Sequence, residues 1–199
     1  MEKNSFWNNA ARQGAILGAV LAVSSVLENM MMLSGRLTLY ALLTVETIAV
    51  IVLHYYLLHR YTRQRATLYT AEEGFTFGQG YGYLLAVSGF AGVIVGIVQY
   101  LYLHVIVGYG NYVDRMVETM TQMLAASGGM TAAGKNPAAM EPLMSQTLAQ
   151  LQSAPEPSVL STVWSGIFSS LLFGAFFGLI IAGVQARAPR PFDDGQNEE

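Results

Sequence analysis

Four long apolar stretches constrain the fold of this chain more than any other feature. They cover residues 10–33, 37–58, 81–107 and 159–184. A helix needs roughly 20 residues to cross about 30 Å of hydrocarbon, and each stretch reaches that length. Charged residues make up only 12% of the chain, about half the share that is usual in soluble domains. The sequence therefore predicts a single all-α integral membrane domain over residues 1–199, built as a four-helix transmembrane bundle.

The first stretch has an alternative interpretation as a secretory signal. Lys3 and Arg12 precede it, and Ala22-Val23-Ser24 resembles a small-residue cleavage site. Apolar residues resume at residues 30–33, which gives the stretch the length of a complete span. We therefore expect a retained span and not a mature chain that starts near Ser25.

Basic residues predict the orientation of the four spans. Both termini and the loop between the second and third spans share one side, and this side holds seven of the ten basic residues. The other side holds Arg36, Arg115 and Lys135. Because basic residues near span ends collect in the cytoplasm, both termini are expected there.

The connection between the third and fourth spans is the longest in the chain. Within residues 108–158, apolar residues recur at helical spacing in two groups. The first group is Val113, Met116, Val117, Met120 and Leu124, and the second is Met140, Met144, Leu148 and Leu151. We predict an extracytoplasmic helical insertion here, a third span that could extend back to Phe77, and a flexible acidic tail over residues 188–199.

Small residues recur at four-residue intervals in three of the spans. In lipid, such residues let helix backbones approach closely. The predicted packing positions are Gly14 and Gly18 in the first span, Gly92 and Gly96 in the third, and Gly166, Ser170, Gly174 and Gly178 in the fourth. Packing within one chain is the simpler interpretation. An oligomer seam or the lining of a narrow path is the alternative.

Two carboxyl groups fall inside the predicted first hairpin. A carboxylate within the bilayer is costly unless it is neutralised, paired or hydrated. Glu28 and Glu46 lie on neighbouring helices and could share a polar site with Asn29. The functional interpretation is a proton or cation site. The structural one, which takes precedence here, is a neutral acid that holds the hairpin together.

Several classes of site are not indicated. The chain has no Cys and a net charge of −3, which argue against thiolate metal sites and a nucleic-acid surface. His54 and His59 are placed towards the inner side and His104 towards the outer boundary, where we expect solvated or hydrogen-bonded rings. Zinc-protease, nucleophile-elbow and phosphate-loop patterns are absent. We therefore predict no enzyme activity, no cofactor and no metal.

The start of the third span carries a family resemblance. The segment Gly74-Phe75-Thr76-Phe77-Gly78-Gln79-Gly80, the short first hairpin, the long third connection and the glycine-rich last helix resemble a bacterial four-span membrane family. This family is domain of unknown function family 4199, and the resemblance covers roughly residues 8–187. It implies a bacterial inner-membrane protein and supplies no activity and no catalytic residues.

Two hypotheses for the function follow. The first is a non-enzymatic scaffold or accessory subunit in the bacterial inner membrane, with the lipid bilayer and a second copy or another membrane protein as partners. The second is a small oligomeric transporter or channel that uses Glu46 and Glu28 for proton or cation coupling. If Glu28 and Glu46 face each other inside the bundle, a water-filled cavity between them favours transport, whereas a dry hydrogen bond favours the scaffold.

Overall fold

The fold is a bundle of long helices. A computed structural model describes residues 6–36, 38–128, 145–147, 149–150 and 153–188. The helices are α1 (Phe6–Leu33), α2 (Leu39–Ala66), α3 (Phe77–Tyr100) with a π-helical continuation (Leu101–Val107), α4 (Tyr109–Gly128) and α5 (Val159–Gln185). Of these, α1, α2, α5 and the continuous α3–π helix are long and apolar enough to cross a membrane. The described residues form no β-strand beyond one isolated bridge, so the predicted all-α bundle with an additional helix is confirmed.

Three helices begin or end outside the apolar stretches. α1 begins at Phe6 instead of residue 10, and α2 continues to Ala66 instead of residue 58. α3 begins at Phe77, because Thr76 and Gln79 form a capping box there. The Thr76 hydroxyl accepts from the Gln79 backbone at 3.3 Å, and the Gln79 side-chain oxygen accepts from the Thr76 backbone at 2.8 Å. Hydropathy marks only the part of a helix that lies in lipid, whereas backbone hydrogen bonding continues beyond it.

The helices do not pack equally. α3 makes its most extensive contact with α5, and α1 packs on α3. α2 touches α1 and α5 much more sparsely. The shared core lies among these helices, and its largest fully buried side chains are those of Leu17, Leu58, Tyr83, Leu84, Val87 and Ile181. The bundle is therefore a tight group of α1, α3 and α5, with α2 along one side.

Small residues account for the closeness of the tight group. A β-carbon built on Gly92 would lie 2.5 Å from the Ile167 Cα, and one on Gly14 would lie 2.7 Å from the Val87 carbonyl oxygen. Both distances are too short for any side chain, so the backbones touch. The other predicted packing glycines also lie at helix contacts: Gly18 against Ala91, Gly96 against Val163, Gly166 against Gly92 and Gly96, Gly174 against Ser88, and Gly178 against Tyr81.

The bundle has two structurally distinct ends. The basic end carries the start of α1, the α2–α3 loop and the end of α5. There Arg187 exchanges backbone hydrogen bonds with Phe75 at 2.8 and 3.0 Å, and its guanidinium donates to the Ala66 carbonyl oxygen at 2.8 Å. The Tyr83 hydroxyl donates to the Asn9 side-chain oxygen at 2.6 Å. These contacts join all four long helices at this end.

The opposite end, called the α4 end below, is covered in part by α4. Thr119 of α4 is buried, and its hydroxyl donates to the Met32 carbonyl oxygen at 3.5 Å. Gln122 lies beside Gly35, whose φ of +66° makes the tight turn between α1 and α2. The predicted second stripe (Met140, Met144, Leu148 and Leu151) lies outside the described residues, as does the tail from residue 189 onward.

Candidate functional site

A polar cavity lies between the four long helices. Its volume is about 440 Å³, within the range of small-molecule sites. Most of the residues that line it are polar, which is unusual inside a membrane bundle. The polar lining comprises Ser24, Ser25 and Glu28 from α1, Thr47 and His54 from α2, Gln99 from α3, and Ser165, Ser169 and Ser170 from α5.

The sequence of α1 and of α2 explains why these residues share one cavity. On each helix the lining residues recur at i, i+3, i+4 and i+7, the spacing of a single helix face. On α1 they are Leu21, Ser24, Ser25 and Glu28, and on α2 they are Thr47, Val50, Ile51 and His54. Two helix faces that each mix polar and apolar residues thus meet along their length.

The structure brings the two intramembrane carboxyl groups together. The side chain of Glu28 lies close to the Glu46 carboxyl and to Thr47, whose hydroxyl donates to the Leu43 carbonyl oxygen at 2.9 Å. The Ser24 hydroxyl donates to Oε1 of Glu46. The other oxygen of Glu46, Oε2, is buried and has no hydrogen-bond partner among the described residues. Carboxylate oxygens only accept hydrogen bonds, so a direct bond between two carboxyl groups requires a proton on the pair.

Asn29, the third residue predicted for this site, is not part of it. Its side-chain amide donates to the Ser25 carbonyl oxygen at 2.7 Å, one turn earlier on its own helix. Ser24 and Thr47 take the place that was expected for Asn29. Sequence reasoning missed them, although Ser24 lies one helical turn before Glu28 and Thr47 directly follows Glu46.

His54 also lies in the cavity wall. A solvated or hydrogen-bonded ring was expected towards the inner side, but this residue is only 5% exposed and so is not solvated. Its ring lies 6.0 Å from that of Phe173 and 5.6 Å from that of Phe177, measured between centroids. Its Nε2 atom is buried and has no hydrogen-bond partner in the described part of the chain. Since α2 extends to Ala66, residue 54 falls near the middle of the helix and not at its end.

The other two histidines lie away from the cavity, one at each end of the bundle. A ring nitrogen of His59 lies 3.0 Å from the Gln185 amide nitrogen. His104 lies in the π-helical segment, and its Nδ1 is 2.6 Å from a carboxylate oxygen of Glu156. These two rings are therefore hydrogen-bonded, as expected, and they share no site.

The α4 end has aromatic packing of its own. The His104 ring stacks on Tyr100 at 4.2 Å and on Tyr109 at 5.4 Å between centroids. Burial raises the pKa of the Tyr112 phenol, and the nearby Tyr109 adds to this effect. A more open pocket of about 390 Å³ lies beside Tyr109, Asp114 and Glu156. No group of three or more metal-ligating side chains occurs in the described ranges.

Comparison with known proteins places the chain in a family. No curated protein and no solved structure matches it. One family model, described as a protein of unknown function, matches residues 12–186. This range includes all four apolar helices except the first turns of α1. It covers nearly the same residues as the resemblance noted from the sequence, which extends over roughly residues 8–187. The chain is a membrane protein that belongs to the DUF4199 family.

Proposed function

We propose that this protein is a small membrane transporter in which the Glu28–Glu46 pair exchanges a proton for a cation. The observation that carries the proposal is the contact between these two carboxyl groups beside a polar cavity of about 440 Å³. Ionisable residues inside a membrane are expensive, and they commonly mark ion or substrate pathways. A purely structural acid needs a hydrogen-bond partner but no cavity.

Charge balance supports an exchange of proton and cation. With one shared proton, the Glu28–Glu46 pair carries a single negative charge. If a monovalent cation binds and the proton leaves, the pair and its occupant again carry one negative charge together. The costly state, in which two uncompensated carboxylates lie in a low-dielectric environment, is avoided at each step. Binding of one species therefore favours release of the other.

The packing of α2 supports movement around the cavity. This helix contributes Thr47 and His54 to the cavity wall, yet it contacts its neighbours sparsely. Its first half is especially open, with Leu42, Val45 and Ile48 more than half exposed on the surface that would face lipid. A shift of α2 would change access to the cavity and leave the contact between α3 and α5 unchanged, which suits a gating element.

The scaffold hypothesis loses part of its support. A scaffold could use its small-residue stripes to contact a partner. Here, however, the glycines of these stripes lie at contacts within this one chain, such as Gly14 with Val87 and Gly92 with Ile167. We keep the absence of enzyme activity, the bacterial inner membrane and the cytoplasmic termini as parts of the proposal. In that orientation the carboxyl pair would lie nearer the outer leaflet, since Glu46 is seven residues (about 10 Å) from the start of α2.

Proteoliposomes test the proposal. The purified protein is reconstituted with a pH-sensitive dye inside, and inward gradients of sodium, potassium or ethanolammonium chloride are imposed in separate experiments. We expect at least one cation to drive protons out of the vesicles. Glu46→Gln should abolish this proton movement, because an amide cannot release the proton that the exchange requires.

A matched control removes a carboxylate elsewhere. Glu72 is exposed in the loop between α2 and α3, so Glu72→Gln should transport like the unmodified protein. The proposal would be overturned if proton movement were the same in Glu46→Gln as in the unmodified protein in all three gradients. It would also be overturned if the unmodified protein moved no protons in any of them. The folded state of each variant is checked by size-exclusion chromatography and thermal unfolding in detergent.

A further inference from the structure

We infer that the cavity binds a small organic ammonium with a second hydrogen-bonding group, its ammonium beside Glu28 and Glu46 and its second group at His54. The inference rests on the proposed function, because it names the class of cation that the pair would exchange for a proton. It depends on three features of the cavity: its charge, its size and the unpartnered ring of His54.

The charge of the cavity selects a cation. Among the described residues that line it, none is Lys or Arg, while Glu28 lies in the wall with Glu46 in contact behind it. An ammonium group donates hydrogen bonds and carries a positive charge, so it matches a wall that contains the Glu28 carboxyl, with a second carboxyl group close to it. An anionic ligand would find no compensating charge here.

The size of the cavity favours an organic cation over a metal ion. A volume of about 440 Å³ is far larger than a dehydrated ion occupies, and it suits a molecule with a carbon skeleton. The described residues also contain no group of three or more metal-ligating side chains. Phe173, Val50 and Ile51 supply apolar wall for such a skeleton.

The unpartnered ring nitrogen of His54 indicates that the ligand has a second polar group, away from its ammonium. This residue is 95% buried, since 5% of its surface is exposed, and its Nε2 has no partner in the described ranges. An unsatisfied buried polar atom is costly, and a ligand that hydrogen-bonds to it removes that cost. Thr47, which contacts Glu28, and His54 are seven residues apart on α2. This spacing places Thr47 and His54 about 10 Å apart along the helix, and the two polar groups of the ligand would lie between them.

Three closely related probes test this arrangement. Tyramine has an ammonium and a hydroxyl, phenethylamine lacks the hydroxyl, and 4-hydroxyphenethyl alcohol lacks the ammonium. Their binding to the protein in nanodiscs is measured by calorimetry at neutral pH, with protein-free nanodiscs as the blank. We expect tyramine to bind about three- to tenfold more tightly than phenethylamine, and at least about tenfold more tightly than the alcohol.

Two variants of His54 assign the second contact. In His54→Phe, tyramine should lose its advantage over phenethylamine, whereas His54→Gln, which keeps a hydrogen-bonding group, should retain part of it. Equal binding of tyramine and the alcohol would overturn the inference, and so would a tyramine preference that persists in His54→Phe. If neither variant folds, the order of the three probes on the unmodified protein decides.

The outcome is separable from that of the proposed function. Sodium- or potassium-driven proton movement that requires Glu46, together with no tyramine binding, would overturn only the ligand class. Tyramine binding in the expected order, together with no Glu46-dependent proton movement in any gradient, would support the binding site and overturn the exchange function.

Discussion

The two sides of α5 illustrate two ways of packing helices in a membrane. Towards α3, its small residues allow the backbones to touch, so that a β-carbon on Gly166 would lie 2.7 Å from the Gly92 carbonyl oxygen. Towards α2, Ser165, which directly precedes Gly166, and Ser169, one helical turn later, line a cavity of about 440 Å³. The first contact, here called the α3–α5 seam, leaves no room for a ligand. The second, the α2 seam, has space and polar groups.

This difference shows how a short helix segment can serve stability and binding together. Successive side chains of a helix point about 100° apart, so two consecutive residues can face two different neighbouring helices. Gly166 belongs to the stripe of small residues and also borders the cavity, while Ser165 faces the cavity. The close α3–α5 seam thus fixes one wall of the cavity, whereas the wall formed by α2 has fewer contacts with its neighbours.

The largest expected contrast between the two seams is in access to water. The chain has no native Cys, so single cysteines report accessibility without background. Ser169→Cys, in the cavity wall, should react with a small, charged, membrane-impermeant methanethiosulfonate reagent, because polar cavities in membrane proteins hold water. Val87→Cys, which is fully buried between the tight helices, should not react. The measurement is the labelled fraction over time, read by mass spectrometry.

A lipid-facing cysteine is the second control for this experiment. Leu172→Cys lies on α5 and is 56% exposed, on the surface expected to meet lipid. It should stay unlabelled, since a charged reagent does not enter hydrocarbon. If Ser169→Cys reacts no faster than Leu172→Cys, the α2 seam is dry and the contrast between the seams fails.

The next contrast concerns the cost of added volume. Gly92→Ala places a methyl group where a β-carbon would lie 2.5 Å from the Ile167 Cα, so α3 and α5 must separate. We expect the free energy of unfolding to fall by about 1–3 kcal/mol. Unfolding in detergent, followed by circular dichroism, measures the change.

Gly89→Ala is the matched control for that variant. Gly89 lies on the same helix as Gly92. A methyl group added there would lie 3.8 Å from its nearest neighbour, the Leu171 side chain, which is an ordinary contact distance. No loss of stability is expected, and the higher helix propensity of Ala favours a small gain. Equal losses for the two variants would mean that the α3–α5 seam is no tighter than its surroundings.

The sequence predicted the class of fold because lipid imposes simple rules. Spanning helices must be long and apolar, and their close contacts need small residues. Gly92 and Gly166 therefore stood out without structural information. The true helix ends did not, because hydropathy stops at residue 58 whereas α2 continues to Ala66. This difference also misplaced His54, which lies near the middle of the helix and not near its inner end.

The cavity itself could be predicted only in part. The proximity of Glu28 and Glu46 followed from a short hairpin, because neighbouring antiparallel helices bring residues of similar depth together. Which polar partners join them depends on helix rotation. A rotation of about 100° per residue separates Ser24 and Glu28, on one face, from Asn29 on the next. The role of α3 and α5 in closing the site needed their three-dimensional order, which no local pattern of residues specifies.

The smallest contrast concerns one hydrogen bond in the α2 seam. Ser24→Ala removes the hydroxyl that donates to Oε1 of Glu46, whereas Ser25→Ala removes a neighbouring hydroxyl of the cavity wall. Hydrogen bonds between membrane helices contribute about 0.6 kcal/mol on average, so Ser24→Ala should lower the free energy of unfolding by about that amount. Ser25→Ala should change it less, because α2 then keeps its bond to α1. The two variants are compared in one detergent by the same unfolding titration. A loss several times larger in Ser24→Ala would mean that the α2 seam depends on Glu46 as strongly as the α3–α5 seam depends on Gly92, and that α2 is fixed and not a movable wall.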